Sequence, residues 1–202
     1  MVDATKSPAS SRGDTRRRLL EAAESCLLRE GYAALSTRSV AVLADMPLSQ
    51  IHYHFGSKQG LVLALLQHQN DKLLRRQAEM FGRDVPLSDR WLQACDFLDQ
   101  DLASGYVRVL QEIISAGYSD PELAAAARST LSGWYDLLVS VAGEARERFG
   151  ALGPFTDVEV ASLIGMVFLG AESMILLGMD QPIQSALRGI GEAIRRFEAN
   201  AR

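Results

Sequence analysis

Cysteine is nearly absent from this chain. Two in 202 residues, Cys26 and Cys95, cannot build a disulfide framework and suit a reducing compartment such as the cytoplasm. Proline and glycine are sparse too, 6 and 16 scattered residues, which excludes a collagenous or low-complexity protein. Long charge-free apolar runs are missing. The longest, Val160–Ala171, stops at Glu172 after about 12 residues, where a membrane span takes roughly 20. Lys6, Arg12, Arg16, Arg17 and Arg18 crowd the first twenty residues with no apolar core behind them, so no secretory leader is expected. Strict period-two alternation never lasts beyond a few residues, so no sheet is expected. Histidine is scarce as well. His52 and His54 diverge at i and i+2, without Cys or carboxylate at zinc spacing, which argues against a metal site. With no nucleophile elbow, phosphate loop or dinucleotide fingerprint, neither an enzyme nor a bound cofactor is expected.

What the chain does have is an ordinary globular composition, 48% hydrophobic and 23% charged, and an uneven distribution of charge. Residues 1–60 hold eight basic and six acidic residues, and the remaining 142 hold thirteen basic and nineteen acidic. The net charge of −4 therefore hides a mildly basic head on an acidic body. Residues 1–13, small and polar with Pro8 and Gly13, read as a disordered arm. From Asp14 onward apolar residues recur every three or four positions. Leu19, Ala22, Ala23, Cys26 and Leu27 form the buried side of a first helix ending at Gly31. Ser36 caps a short helix through about Ala44, stapled by Leu35 and Val40. Asp45-Met46-Pro47 breaks it, and a second short helix runs to Tyr53 or His54 with Pro47 in its first turn. Ser57 caps a long helix from Lys58 to about Phe81, and Pro86, Gly105, Pro121, Pro154 and Pro182 punctuate further helices. The expectation is an all-α chain of about nine helices. A three-helix head over 14–57 is followed by a larger helical domain over 58–202.

Two short helices joined by a tight break behind a longer supporting helix are the elements of a helix-turn-helix. Thr37-Arg38, Ala41 and Ala44 stand on the first short helix, then come Ile51-His52-Tyr53-His54-Phe55, Ser57-Lys58, Gly60 and Leu61. In this order and spacing the run 36–66 resembles the DNA-binding signature of the TetR/AcrR family of bacterial repressors. The signature covers about the first third of the chain. The remainder is similar to the family in length, helical content and two bundle-like terminal helices. The resemblance implies a homodimer that binds a double-stranded DNA operator and whose larger domain takes a small-molecule effector. It also implies that Thr37, Tyr53, His54 and Lys58 hold phosphates, which sets register rather than sequence. Leu48, Ser49, Gln50 and His52 fall on the outward side or N-terminal end of the second short helix, where recognition helices touch bases. Gln50 suits adenine, Leu48 a thymine methyl, and Arg38 guanine O6/N7. Ile51 and Phe55, with Val40, Leu43 and Ala44, are the expected anchors beneath. The chain departs from the family's pattern at His52, which stands for Tyr, and at Asp45, which stands for the turn Gly. Pro47 and Leu48 also replace commonly polar residues, so a base preference cannot be carried over. Lys58 and Arg16–Arg18 sit in opening turns where the helix dipole disfavours a cation, a cost that a phosphate reverses.

The last two helices carry heptad-like seams. Val160, Ile164, Val167, Ala171 and Met174 mark one, and Ile183, Leu187, Ile190, Ile194 and Phe197 the other. Either a second chain or the protein's own interior can cover them, and the first is the expectation. Small residues Ala161 and Gly165 suit close helix packing. An effector cavity should combine aromatic and polar groups on apolar faces, and the candidates are Trp91, Cys95, Leu98, Trp134, Leu138, Phe168 and Glu172. Trp134 shares a face with Leu131, Leu138 and Val141, which also fits plain core. Glu172, a carboxylate inside an apolar run, requires a partner. An arginine of either chain is expected first, and a cationic or hydrogen-bonding effector is the alternative. Two other readings of the whole remain open at this point. One is a helical protein-binding scaffold without DNA binding, the other a regulator of the same family without an effector.

Overall fold

The computed structural model describes residues 8–150 and 153–200, and every regular element among them is an α-helix. Nine helices follow in order: α1 (Pro8–Ala34), α2 (Thr37–Leu43), α3 (Leu48–Phe55), α4 (Lys58–Phe81), α5 (Leu87–Ser104), α6 (Tyr106–Gly117), α7 (Pro121–Phe149), α8 (Asp157–Leu176) and α9 (Asp180–Asn200). The first helix takes in residues 8–13 of the stretch 1–13 read as a disordered arm. It starts at Pro8, because a proline at the first helical position loses no hydrogen bond and brings a φ already suited to the helix. Residues 1–7 lie outside the described residues. Gly31, at φ 75° and ψ 169°, interrupts α1 where the helix was expected to end. Pro47 stands just before α3 in extended geometry rather than inside its first turn.

The helices form two compact units, Met1–Gln69 and Asn70–Arg202, with α4 contributing to both. In the first unit, Leu19, Ala22, Ala23, Cys26 and Leu27 of α1, Val40 and Ala41 of α2 with Ala44 just beyond it, Ile51 of α3, and Leu61, Val62, Leu65 and Leu66 of α4 are all buried. Burying a Leu or Ile side chain stabilises by about 1.5–3 kcal/mol, so this core is what holds two helices of seven and eight residues in place. Leu43 is a correction: 44% exposed, it yields its expected core place to Ala41, which shares a helix face with Val40 and Ala44.

The second unit packs α5 against α9 and α7 between α6 and α8. Cys95, Leu98, Val107, Phe168, Ala171 and Leu187 form one buried cluster, and Met80, Phe81, Phe97, Leu138 and Ala161 another. Gly165 lets α8 approach α7 closely, since a Cβ there would collide with the Tyr135 ring and hydroxyl. Glu198 of α9 accepts from Leu87 N (2.7 Å), Ser88 N (3.3 Å) and Ser88 Oγ (2.7 Å), capping the otherwise uncapped start of α5. Length and composition would let α8 cross a membrane; about a fifth of it is buried in this chain, at Ala161, Gly165, Phe168 and Ala171.

Candidate functional site

The head is built around the turn between α2 and α3. Ser36 caps α2 in a reciprocal box with Ser39. Beyond α2 the chain reverses through Asp45, whose φ of 52° is left-handed, a geometry that Asp tolerates better than most residues. Arg18 reaches from α1 to donate to the Ala44 carbonyl at 2.9 Å, tying the supporting helix to the turn. Ser57 Oγ accepts from Gly60 N at 3.0 Å and starts α4. Gly60 cannot carry a Cβ, which would collide with the Phe55 carbonyl. The motif thus needs serine and glycine at these places for backbone reasons.

Ile51 is fully buried and fixes the roll of α3. That roll leaves Ser49 and His52 exposed and Tyr53 60% exposed, with Leu48, Gln50 and His54 half-buried. On α2, Arg38 is exposed and Thr37 half-buried. His52 Nδ1–H donates to the Gly56 carbonyl at 3.1 Å, so this ring is turned toward the end of its own helix. The basic residues of α1 are placed by specific contacts. Arg12 lies 5.1 Å above the Tyr53 ring and Arg16 5.6 Å above the Phe55 ring. Arg17 pairs with Asp14 and Glu21 at 2.6 and 2.7 Å. Arg12 stands beside α3 because α1 begins early, and reading 1–13 as an arm left it out. Desolvation first, then the two guanidiniums of Arg12 and Arg16, hold the His54 pKa below the ordinary histidine value. Lys58, expected to be strained at a helix start, donates to the Ala33 carbonyl at 3.2 Å and lies 4.7 Å above the Tyr32 ring. The C-terminal end of α1 therefore offsets the dipole cost.

In the second unit a cavity lies among α4, α5, α6, α7 and α8. Leu98, Trp134, Leu138, Phe168 and Glu172 line it, together with residues the sequence did not single out: Asn70, Gln77, Asp101, Tyr106 and Thr130 among them. Trp91 and Cys95 are corrections. The Trp91 indole donates to the Leu187 carbonyl at 2.6 Å and Cys95 is 2% exposed, so both belong to the core against α9 rather than to the lining. Among the described residues of this chain Glu172 is met by Gln111, whose Nε2 donates to its carboxylate at 2.8 Å, and not by an arginine. Burial pushes the Glu172 pKa up to about 7, the Gln111 hydrogen bond opposing and the Asp101 charge adding to the rise. Burial also raises Asp101, opposed by Arg76 at 2.7 Å, and raises the Tyr106 hydroxyl. Tyr106 donates to Asn70 Oδ1 at 3.4 Å. These polar cavity residues stand singly among apolar ones from four helices, so no sequence periodicity marked them.

The seams divide. Ala171 and Leu187 are buried, and Ile164 and Ile183 pack against the same cluster, so they serve their own unit. Heptad spacing alone cannot tell which neighbour covers a stripe. Val160 and Ile194 are half-buried. Val167, Met174, Ile190 and Phe197 remain 36–49% exposed beside Met166 at 59%.

Residues 19–65 match the family model of the bacterial regulatory proteins, tetR family. An uncharacterized HTH-type transcriptional regulator of Bacillus subtilis, YvkB, is 41% identical over 59 residues, 29% of this chain and 31% of its own length. The HTH-type transcriptional regulator TtgR of Pseudomonas putida is 36% identical over 89 residues, 43% of this chain and 41% of its own. The chain thus spans about a third to two fifths of the curated relatives it matches. Solved structures agree over far more. A TetR-family regulator from Agrobacterium tumefaciens superposes with a TM-score of 0.77 at 18% identity, covering 90% of this chain and 98% of that one. A putative regulator from Saccharomonospora viridis in complex with choline gives 0.74 at 19% identity, covering 90% and 95%. FadR of Bacillus subtilis in complex with stearoyl-CoA gives 0.75 at 12%, covering 88% and 96%. Identities this low speak for the fold.

Proposed function

We propose that this chain, whose residues 19–65 match the family model of the bacterial regulatory proteins, tetR family, is a dimeric, ligand-released repressor reading a palindromic operator. The observation that carries the reading is the head itself. Ile51 and the α4 core hold α3 so that Ser49 and Gln50 stand at its exposed N-terminal end, flanked by Arg38, Tyr53, Arg12 and Arg16. Side chains of α3 and Arg38 read base edges in the major groove, while Thr37, Tyr53, His54, Lys58 and the α1 arginines hold the backbone. Two heads in a dimer meet successive major grooves about 34–36 Å apart.

The cavity is the effector site. Choline and stearoyl-CoA, bound by two proteins of this fold, differ enough in chemistry that neither identifies the effector here. One helix carries the coupling: α4 supplies Leu61–Leu66 to the core of the head and Leu73, Gln77 and Phe81 to the cavity wall. An effector that shifts α4 changes the spacing of the heads, and a coupling of about 1–3 kcal/mol changes operator affinity five- to 150-fold.

Replacing Tyr53 and Lys58 together by alanine tests the DNA half. With the fold intact by circular dichroism, affinity for any duplex should fall about tenfold or more, and the salt dependence should flatten by roughly one phosphate contact. Unchanged binding refutes the proposed interface.

A further inference from the structure

The polar groups in the cavity wall are unequal in sign and in satisfaction. None of the described residues lining it is Lys, Arg or His. Its two carboxylates are differently served. Asp101 is paired with Arg76, whose guanidinium also lies 4.2 Å above the Phe97 ring. Glu172 has the neutral amide of Gln111 instead of a cation. Gln77 adds a second, separate observation. It is 8% exposed, lines the cavity, and its Oε1 finds no partner among the described residues. A buried acceptor without a donor costs free energy, and a buried carboxylate without a countercharge costs more. The rings of Trp134 and Phe168, packed edge to face with centroids 6.1 Å apart, stand in the same wall.

We propose that the effector is an organic cation of the protonated-amine class with an apolar body, its N–H groups serving Glu172 and Gln77 and its body lying against Trp134 and Phe168. The proposal rests on the cavity being the effector site and adds the chemistry of what enters. A protonated amine supplies donor and countercharge together, and an aromatic wall favours a cation further. An anionic ligand would meet carboxylates with Arg76 already committed, and a neutral apolar one would leave both acceptors unserved. Because Glu172 stands at about 7, an amine binds its ionised form and displaces a proton in acid. The charged and titratable groups around it are Asp101 of α5, Arg76 of α4 behind Asp101, and Tyr106 of α6, whose hydroxyl stays protonated. From α7, Thr130 and Trp134 face the cavity uncharged.

Benzylamine, benzyl alcohol and benzoate form a matched cationic, neutral and anionic series for calorimetry on the full chain. Benzylamine should bind about tenfold or more tighter than the alcohol, as expected for a charge-assisted hydrogen bond, with benzoate weakest. Glu172→Gln, which preserves shape and the bond from Gln111, should erase the preference, and Gln77→Leu should reduce it. Lowering the pH from 8 to 6 should weaken benzylamine roughly tenfold, as the ionised fraction of Glu172 falls, and leave the alcohol unchanged. If the alcohol or benzoate binds as tightly as the amine, or the preference survives Glu172→Gln, the cation is overturned and the cavity reading stands. If none of the three binds, both fall.

Discussion

Glu172 is a buried carboxyl whose hydrogen-bond partner is a neutral amide, Gln111. Its pKa is raised from 4.5 to about 7 mainly by burial. A carboxyl raised on folding binds its proton more tightly in the native state. Its contribution is therefore favourable below about 4.5 and is lost as pH rises through about 7. Glu172→Gln should consequently unfold at higher denaturant than the parent at pH 8, by about 1–3 kcal/mol, with the advantage gone at pH 4. Equal stabilities at both pH values would mean that Glu172 is solvated. The sequence marked this residue as a carboxylate in an apolar run and missed Gln77 and Asp101. A glutamine or aspartate on an amphipathic helix looks the same whether it faces water or an internal cavity.

At the scale of elements, the most legible part was the head. Its boundaries come from capping and turn chemistry, at Ser36, Asp45 and Ser57, and from buried residues of short spacing. The start of α1 was hidden because Pro8 reads both as a breaker and as a first helical residue. Gly60 shows why the motif needs a glycine inside a helix. Gly60→Ala forces its Cβ onto the Phe55 carbonyl, a backbone atom that moves only with the end of α3. We expect a loss of about 1–3 kcal/mol, read by denaturant melts, and weaker DNA binding even where the variant stays folded. A variant as stable as the parent would show that α3 and α4 meet less tightly than described.

The whole molecule is legible as an all-helical chain, yet the seams that pointed to a second copy are half consumed within one chain. Ala171 and Leu187 are core, whereas Val167, Met174, Ile190 and Phe197 stay exposed with Met166. An α8 that is apolar on most of its faces, beside an amphipathic α9, carries heptad spacing toward its own unit and away from it alike, so periodicity could not separate them. If the exposed set is the dimer face, Val167→Glu should leave the fold intact and weaken self-association by about 2 kcal/mol or more, measured by sedimentation. Operator affinity should fall with it, since paired heads bind as one unit. A dimer as tight as the parent places the interface elsewhere.

The most direct test of the central claim is selection of bound sites from a random duplex library, with enriched sequences measured again at two salt concentrations. The account predicts an inverted repeat with half-sites about one helical turn apart and an affinity that drops steeply with salt. Absence of any enriched repeat, with binding equal across sequences or indifferent to salt, would contradict it.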